Sequence, residues 1–260
     1  MEIKVLGPLT INANGRSIVP SAGKPRQLLA LLTLRMGQVV FTPTMLEELW
    51  GDETPRSAAT TLQTYILHLR REIAKALPDR PRTESLSTHF GGYRLDLRGG
   101  RLDLAEFDER AARGAAALER GDAAGAAEIL ASALGIWSGP ALGNVPVGRV
   151  LELELLGMEE ARMRTLERRI EADLMLGRHR HLLPELRMLA AGHPMNENFC
   201  AQLMLALYRS GHVWRALEAF RTLRETLVEE LGIEPSLRLQ RLHQAMLTGN
   251  PDVEPLRIGA

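Results

Sequence analysis

The stretch TPRSAATTLQTYILHLRREIAKAL, residues 54–77, decides how this chain reads. Wound as a helix at about 100° per residue, it gathers Leu62, Ile66, Leu69 and Ile73 into one narrow sector, a stripe suited to burial. The opposite sector holds Thr60, Thr64, Leu67, His68, Arg71 and Lys75, with Thr61, Gln63 and Arg70 at its margins. Hydroxyls near the N-terminal end and cations further along suit a helix that meets a DNA duplex. Hydroxyls bond bases or phosphates, and arginine grips guanine in a bidentate fork. Leu67 is the odd member, and a packing contact with a neighbouring helix is favoured for it over a thymine methyl. Thr54 as N-cap and Pro55 as first helical residue open this helix, and Pro78 closes it after Leu77.

The punctuation upstream is the same. Thr42 and Pro43 open a shorter helix through Met45, Leu46, Leu49 and Trp50 that stops at Gly51. A helix from Lys24 carries Leu28, Leu29, Leu31, Leu32 and Met36 at helical spacing and ends at Gly37, and a short strand, 38–41, follows it. The first twenty residues alternate as a β-hairpin around Asn14-Gly15. Downstream, Leu86 and Thr88 lead into His89-Phe90-Gly91-Gly92, after which Tyr93, Leu95 and Leu97 alternate with Arg94, Asp96 and Arg98, a second hairpin. Strands, three helices and a terminal hairpin make a helix-turn-helix with a β wing. On that wing Arg94 points away from the apolar set and suits a narrow minor groove. Lys24 and Arg26, at the start of the first helix, are candidate phosphate clamps.

Beyond Gly99-Gly100 the pattern is helical, which places a domain seam there and gives domains at residues 1–98 and 103–250. Three segments superpose around Gly121, Gly177 and Gly211, and the last two glycines lie 34 residues apart, the tetratricopeptide period. Each glycine is expected to turn between antiparallel helices, with Ala126, Leu182 and Ala216 packing five residues on and Leu130, Leu186 and Phe220 nine residues on. The longer first interval requires an extra helix from about Leu151. An irregular helical bundle is the alternative.

Composition narrows the function classes. The 260 residues suit two domains of roughly 150 or fewer. The net charge of zero hides an asymmetry: residues 1–98 carry 13 Lys+Arg against 9 Asp+Glu, the remainder 19 against 23, so the first part is the one fit to meet phosphate. One cysteine, Cys200, lies in an apolar helical register with Leu203, Met204 and Leu207, which reads as a buried structural thiol. No apolar run reaches the roughly 20 residues of a membrane helix, and the start lacks a secretory pattern, so a cytoplasmic, nucleoid-associated protein is expected. His179 and His181 stand about 200° apart on a helix and cannot share a metal there. Glu47-Glu48 and Glu229-Glu230 are adjacent pairs that point different ways. No catalytic constellation, metal site or cofactor motif emerges, and Gly23-Lys24-Pro25 lacks the spacing and hydroxyl of a nucleotide-binding loop.

These residues also carry a resemblance. Gly7-Pro8-Leu9, Lys24-Pro25-Arg26-Gln27, Leu46-Glu47-Glu48-Leu49-Trp50-Gly51, Thr61-Leu62-Gln63-Thr64-Tyr65-Ile66 and Gly91-Gly92-Tyr93-Arg94-Leu95 resemble the DNA-binding domain of the Streptomyces antibiotic regulatory protein family. Trp137-Ser138-Gly139-Pro140-Ala141-Leu142, Arg169-Ile170-Glu171-Ala172-Asp173-Leu174, His193-Pro194, Ala206-Leu207-Tyr208-Arg209-Ser210-Gly211 and Glu230-Leu231-Gly232-Ile233-Glu234-Pro235 resemble its bacterial transcriptional activation domain. The resemblance implies a mainly α fold with small β elements: a response-regulator-type winged helix-turn-helix followed by a tetratricopeptide-like all-α domain. It implies a sequence-specific transcriptional activator, not an enzyme. Such an activator binds double-stranded DNA at tandem direct repeats near the promoter −35 region, associates head to tail on them, and recruits RNA polymerase holoenzyme to an antibiotic gene cluster. The Leu62-to-Leu67 version of the helix is most similar to activators of aromatic polyketide clusters. His68 stands where the wider winged-helix pattern often has arginine, and Leu67 where it has a small polar residue, so no base preference is implied. A tetratricopeptide-type protein-binding scaffold and a repressor of the same fold are the competing readings.

Overall fold

The computed structural model describes residues 1–78, 82–97 and 99–249. Arg98, residues 79–81 of the expected loop and Asn250 lie outside the described residues. The N-terminal elements are β1 (Glu2–Lys4), β2 (Thr10–Ala13), β3 (Arg16–Ser17), α1 (Gly23–Leu34), β4 (Val39–Phe41), α2 (Thr42–Trp50), a 3-10 turn at Gly51–Glu53, α3 (Ala58–Ala76), the one-turn α4 (Arg82–Ser85), β5 (Leu86–His89), β6 (Gly92–Leu95) and β7 (Arg101–Leu102). Two sheets form, in the orders β3-β2-β1-β7 and β4-β6-β5. The expected first hairpin is a three-stranded run: Asn14 and Gly15 turn β2 into β3 at φ 50° and 76°. β7, not anticipated, pairs parallel with β1.

Helix starts differ from expectation. α3 begins at Ala58, not Pro55, because the Thr54 hydroxyl donates to the Gly51 carbonyl at 2.9 Å and the Ala58 N–H donates to the Pro55 carbonyl at 2.9 Å. Thr54-Pro55 thus serves the tight turn, for which a fixed proline φ is equally suited. Thr42 is the first residue of α2 and caps nothing with its side chain; its N–H donates to Gly91 O at 2.8 Å.

Contacts divide the chain into two compact units. The first combines Met1–Glu109 with Ala133–Arg162. What joins these pieces is the loop Val5–Leu9. Its carbonyls at Val5 and Leu6 accept the N–H groups of Leu142 and Ser138 at 3.0 and 2.8 Å. Its N–H groups at Val5 and Leu6 donate to the Asp103 carboxylate at 2.9–3.0 Å, and Asn144 bonds both the N–H and the carbonyl of Leu9. Burial of Asp103 raises its pKa, against the pull of these backbone donors. The approach at Gly7 is close: a Cβ there would lie 2.0 Å from Ser138 Oγ, so the serine hydroxyl would have to turn away. Two family-like motifs more than a hundred residues apart, Gly7-Pro8-Leu9 and Trp137 to Leu142, are therefore one structural piece. Glu48 adds a second joint: buried, it accepts from Gln27 at 2.7 Å and from the N–H groups of Gly148 and Leu151 at 2.7 and 2.9 Å. Its carboxylate thereby caps the start of a helix at Arg149, where four N–H groups lack intrahelical partners.

The remaining helices are α5 (Asp103–Glu119), α6 (Ala123–Leu134), α7 (Arg149–Met175), α8 (His179–Gly192), α9 (Glu197–Arg209), α10 (Val213–Leu231) and α11 (Leu237–Leu247). The second unit comprises Arg110–Ser132 and the described residues from Met163 on. The three glycine turns expected in it share one geometry. Gly121, Gly177 and Gly211 have φ of 81°, 75° and 85°, a left-handed value that side chains resist. At each, the N–H after the glycine bonds a carbonyl five residues back: Asp122 to Ala117, Arg178 to Asp173, His212 to Leu207. This is the Schellman closure of a helix end. The residues expected to pack behind the turns, Ala126, Leu182, Ala216, Leu130, Leu186 and Phe220, are all buried. The extra helix expected near Leu151 is α7. Cys200 is buried, donates to Ala219 O at 3.5 Å, and has its thiol pKa pushed up to about 12, mainly by burial.

Candidate nucleic-acid interface

α3 owes its position to its buried stripe. Leu62, Ile66, Leu69 and Ile73 are at most 2% exposed, joined by Ala58 and Ala76, and the helix packs against α1 and α2. Tyr65 stacks on Trp50 of α2 with ring centroids 6.3 Å apart, fixing the second helix of the motif on the first. The other side then has only one place to go. Thr60, Gln63, Thr64, Leu67, His68, Arg71 and Lys75 are all exposed, and Thr61 is half-buried at the margin. Leu67 is 51% exposed, so the packing role favoured for it fails: among the described residues no neighbouring helix covers it. Thr64 donates its hydroxyl to Thr60 O at 3.1 Å, which leaves its lone pairs pointing outward as acceptors.

The candidate cations separate into two groups. Arg71 is exposed with no protein partner among the described residues, and Lys75 is exposed beside Glu72 at 2.7 Å. Arg70, Lys24 and Arg26 are engaged. Arg70 donates Nε to Leu86 O at 2.9 Å and Nη2 to Thr88 Oγ1 at 2.8 Å, with its guanidinium 5.9 Å from the Tyr93 ring centre. It fastens the wing to α3. Lys24 donates Nζ to the Leu49 carbonyl and lies 5.1 Å over the Trp50 ring, so it closes the C-terminal end of α2. Arg26 spends three nitrogens on carbonyls of Pro20, Asn144 and Ser21 at 2.9, 2.6 and 2.8 Å. Both α1 cations are thus held by backbone carbonyls of the same unit.

The wing is the sheet β4-β6-β5. Strand β6 lies between Val39–Phe41 and Leu86–His89, with Gly92 opposite both Phe41 and His89. Gly92 is needed for that closeness, because a Cβ there would fall 2.3 Å from Val40 O. Arg94 stands two residues back from the turn on this middle strand, half-buried, with its Nε buried and unpartnered among the described residues. The tip belongs to Phe90, whose exposure of 101% means that no part of its ring is covered. Phe41, 57% exposed, lies at the same end. Sequence reasoning passed over Phe90; the signal was a large apolar residue at a turn position that normally takes Asn, Asp, Ser or Gly.

Among the described residues no group of His, Cys, Asp and Glu is arranged to hold a metal ion, and no helix is long and apolar enough to cross a membrane. Of the adjacent acids, Glu47 is exposed and Glu48 buried, while Glu229 and Glu230 are both exposed.

Comparison with known proteins gives this geometry a context. Residues 16–95 match the model described as "Transcriptional regulatory protein, C terminal", and residues 102–247 match "Bacterial transcriptional activator domain". The chain is 48% identical to the regulatory protein DnrI of Streptomyces peucetius over 98% of its own length and 94% of that protein's. It is 34% identical to the transcriptional regulator RedD of Streptomyces coelicolor, over 96% and 71% of the two chains. The solved structure of Mycobacterium tuberculosis EmbR in complex with a low-affinity phosphopeptide superposes with a TM-score of 0.88 at 29% identity, covering 97% of this chain and 66% of that one. A winged helix-turn-helix with an outward-facing polar helix, continued by glycine-turned helical hairpins and matched along nearly its whole length by such regulators, places this chain in the Streptomyces antibiotic regulatory protein family as a transcriptional activator, not an enzyme.

Proposed function

We propose that the outward face of α3 lies in the major groove and reads the target of this activator. Two copies line up head to tail on tandem direct repeats near a promoter −35 region, and the assembly recruits RNA polymerase holoenzyme to an antibiotic gene cluster. Thr60, Thr61, Gln63, Thr64, Leu67, His68 and Arg71 supply contacts to bases and adjacent phosphates, Lys75 meets phosphate, and Arg94 approaches from the wing. Lys24, Arg26 and Arg70 hold the reading head in shape. Residues 1–98 form the DNA-reading module and 103–250 the activating one, a functional division that need not coincide with the compact units. The observation that carries the reading is the exposed face of α3, where hydroxyls, an amide, an imidazole and a free guanidinium share one side and the nearest acid, Glu72, is paired with Lys75.

Selection of bound duplexes from a random DNA pool, followed by sequencing, tests it. The expected outcome is two copies of one short motif in the same orientation, their centres about 10 to 10.5 bp apart or a multiple of that. An inverted repeat would refute the head-to-tail arrangement, and the absence of any enriched motif would favour the protein-binding scaffold.

A further inference from the structure

Phe90 has no task in the fold. Its ring touches nothing, it occupies a two-residue hairpin turn with Gly91 at φ 74°, and a polar residue would serve that turn as well. The turn is nevertheless held firmly. Thr42 N–H donates to Gly91 O at 2.8 Å, Gly92 is pressed against Val40 O, and Arg70 ties Leu86 and Thr88 to the middle of α3. Phe90 lies two residues past Thr88, roughly 7 Å further along the strand at about 3.3 Å per residue. The strand that leads to it is thus tied to Arg70, whose helical neighbours Leu67 and Arg71 are exposed. The surroundings favour a polyanion: segments 38–42 and 87–94, which make this end of the sheet, contain no carboxylate and include Arg94 and His89.

We propose that Phe90 is a wedge that enters the minor groove beside the segment read by α3 and partly opens one base step, bending the duplex at that point. This rests on the reading of α3 given above. A phenyl ring cannot hydrogen-bond a groove edge; it gains by leaving water and stacking, as apolar wedges do when they unstack a step and kink DNA. The step most easily opened is pyrimidine–purine, TA or CA/TG, so the wing selects for deformability at a position where no side chain bonds a base. Arg94 follows behind the ring and meets phosphates or the groove wall.

The test uses the full chain, a duplex enriched in the selection above, end-label energy transfer to measure bending, and 2-aminopurine placed at successive steps under the wing. Wild type is expected to bend the duplex and to brighten the probe at one step. Phe90→Ala should lose the bend and the brightening and weaken binding by about tenfold, the scale of losing one base–aromatic stack. Its melting temperature should be unchanged, because the ring is bare. Phe90→Leu, still a wedge, should keep most of the bend. Unbent DNA with wild type, or equal bending by Phe90→Ala, overturns the proposal. Equal bending together with lost transcription by added polymerase would show that the ring meets a protein instead. Wild type that binds no duplex removes the reading of α3 and the wedge together, whereas lost binding by Arg71→Ala with an unbent wild-type complex removes the wedge alone.

Discussion

Arg26 and Arg71 are the same residue type in the same basic stretch, residues 1–98, and sequence places both on helical surfaces; their fates differ entirely. Arg26 puts three guanidinium nitrogens on carbonyls 2.6–2.9 Å away, while Arg71 reaches into solvent with no partner among the described residues. A cation with each of its three nitrogens on a backbone carbonyl contributes to folding and has fewer donors left for phosphate. One left unpaired on a face opposite a buried stripe contributes little to folding and keeps its full capacity for a ligand. The difference between the α1 cations and the α3 face is thus one of satisfied against unsatisfied donors.

The harshest way to break the comparison is through the stripe that turns the α3 face outward. Leu62→Ala, 1% exposed in wild type, should cost about 2–5 kcal/mol in denaturant unfolding, and DNA binding should be lost along with the fold. Full stability would mean that the helix phase is wrong. Arg26→Ala should cost about 2 kcal/mol, since hydrogen bonds from a charged donor are each worth more than neutral ones. The fraction that remains folded should bind DNA as wild type does. Arg71→Ala should reverse this pattern: an unaltered melting temperature and DNA binding weakened about tenfold, or 1.4 kcal/mol. Lys75→Ala is the mildest. Its ammonium already accompanies Glu72, so stability should stay within about 0.5 kcal/mol, and the loss of affinity, measured by anisotropy, should be smaller than for Arg71→Ala.

Much of this was legible in the sequence where a period exposes it. The 3.6-residue repeat gave the phase of α3, and the glycines at 121, 177 and 211 marked turns whose following residues are buried as spacing required. What sequence hid was partnership across distance. Nothing local to Lys24, Arg26 or Arg70 says that carbonyls of Leu49, Asn144 or Leu86 will receive them. Nothing local to Trp137–Leu142 says that it will be received by the carbonyls of Val5 and Leu6. Thr54-Pro55 misled because a proline with φ near −65° fits a tight turn as readily as a helix start. Leu67 misled because an apolar residue is assumed to be covered, and Phe90 escaped notice because it has no periodic partner to betray it.

The most direct measurement of the central claim is the salt dependence of binding to a selected duplex for wild type, Arg71→Ala and Arg26→Ala, between about 50 and 200 mM salt. If the outward face of α3 meets DNA, the wild-type affinity falls steeply with salt. Arg71→Ala then binds more weakly, with a slope shallower by about one if the guanidinium meets a phosphate and a near-parallel one if it reads a base, while Arg26→Ala runs parallel to wild type. An Arg71→Ala line superimposed on wild type, with Arg26→Ala displaced or shallower instead, would contradict the account and move the interface from α3 to α1.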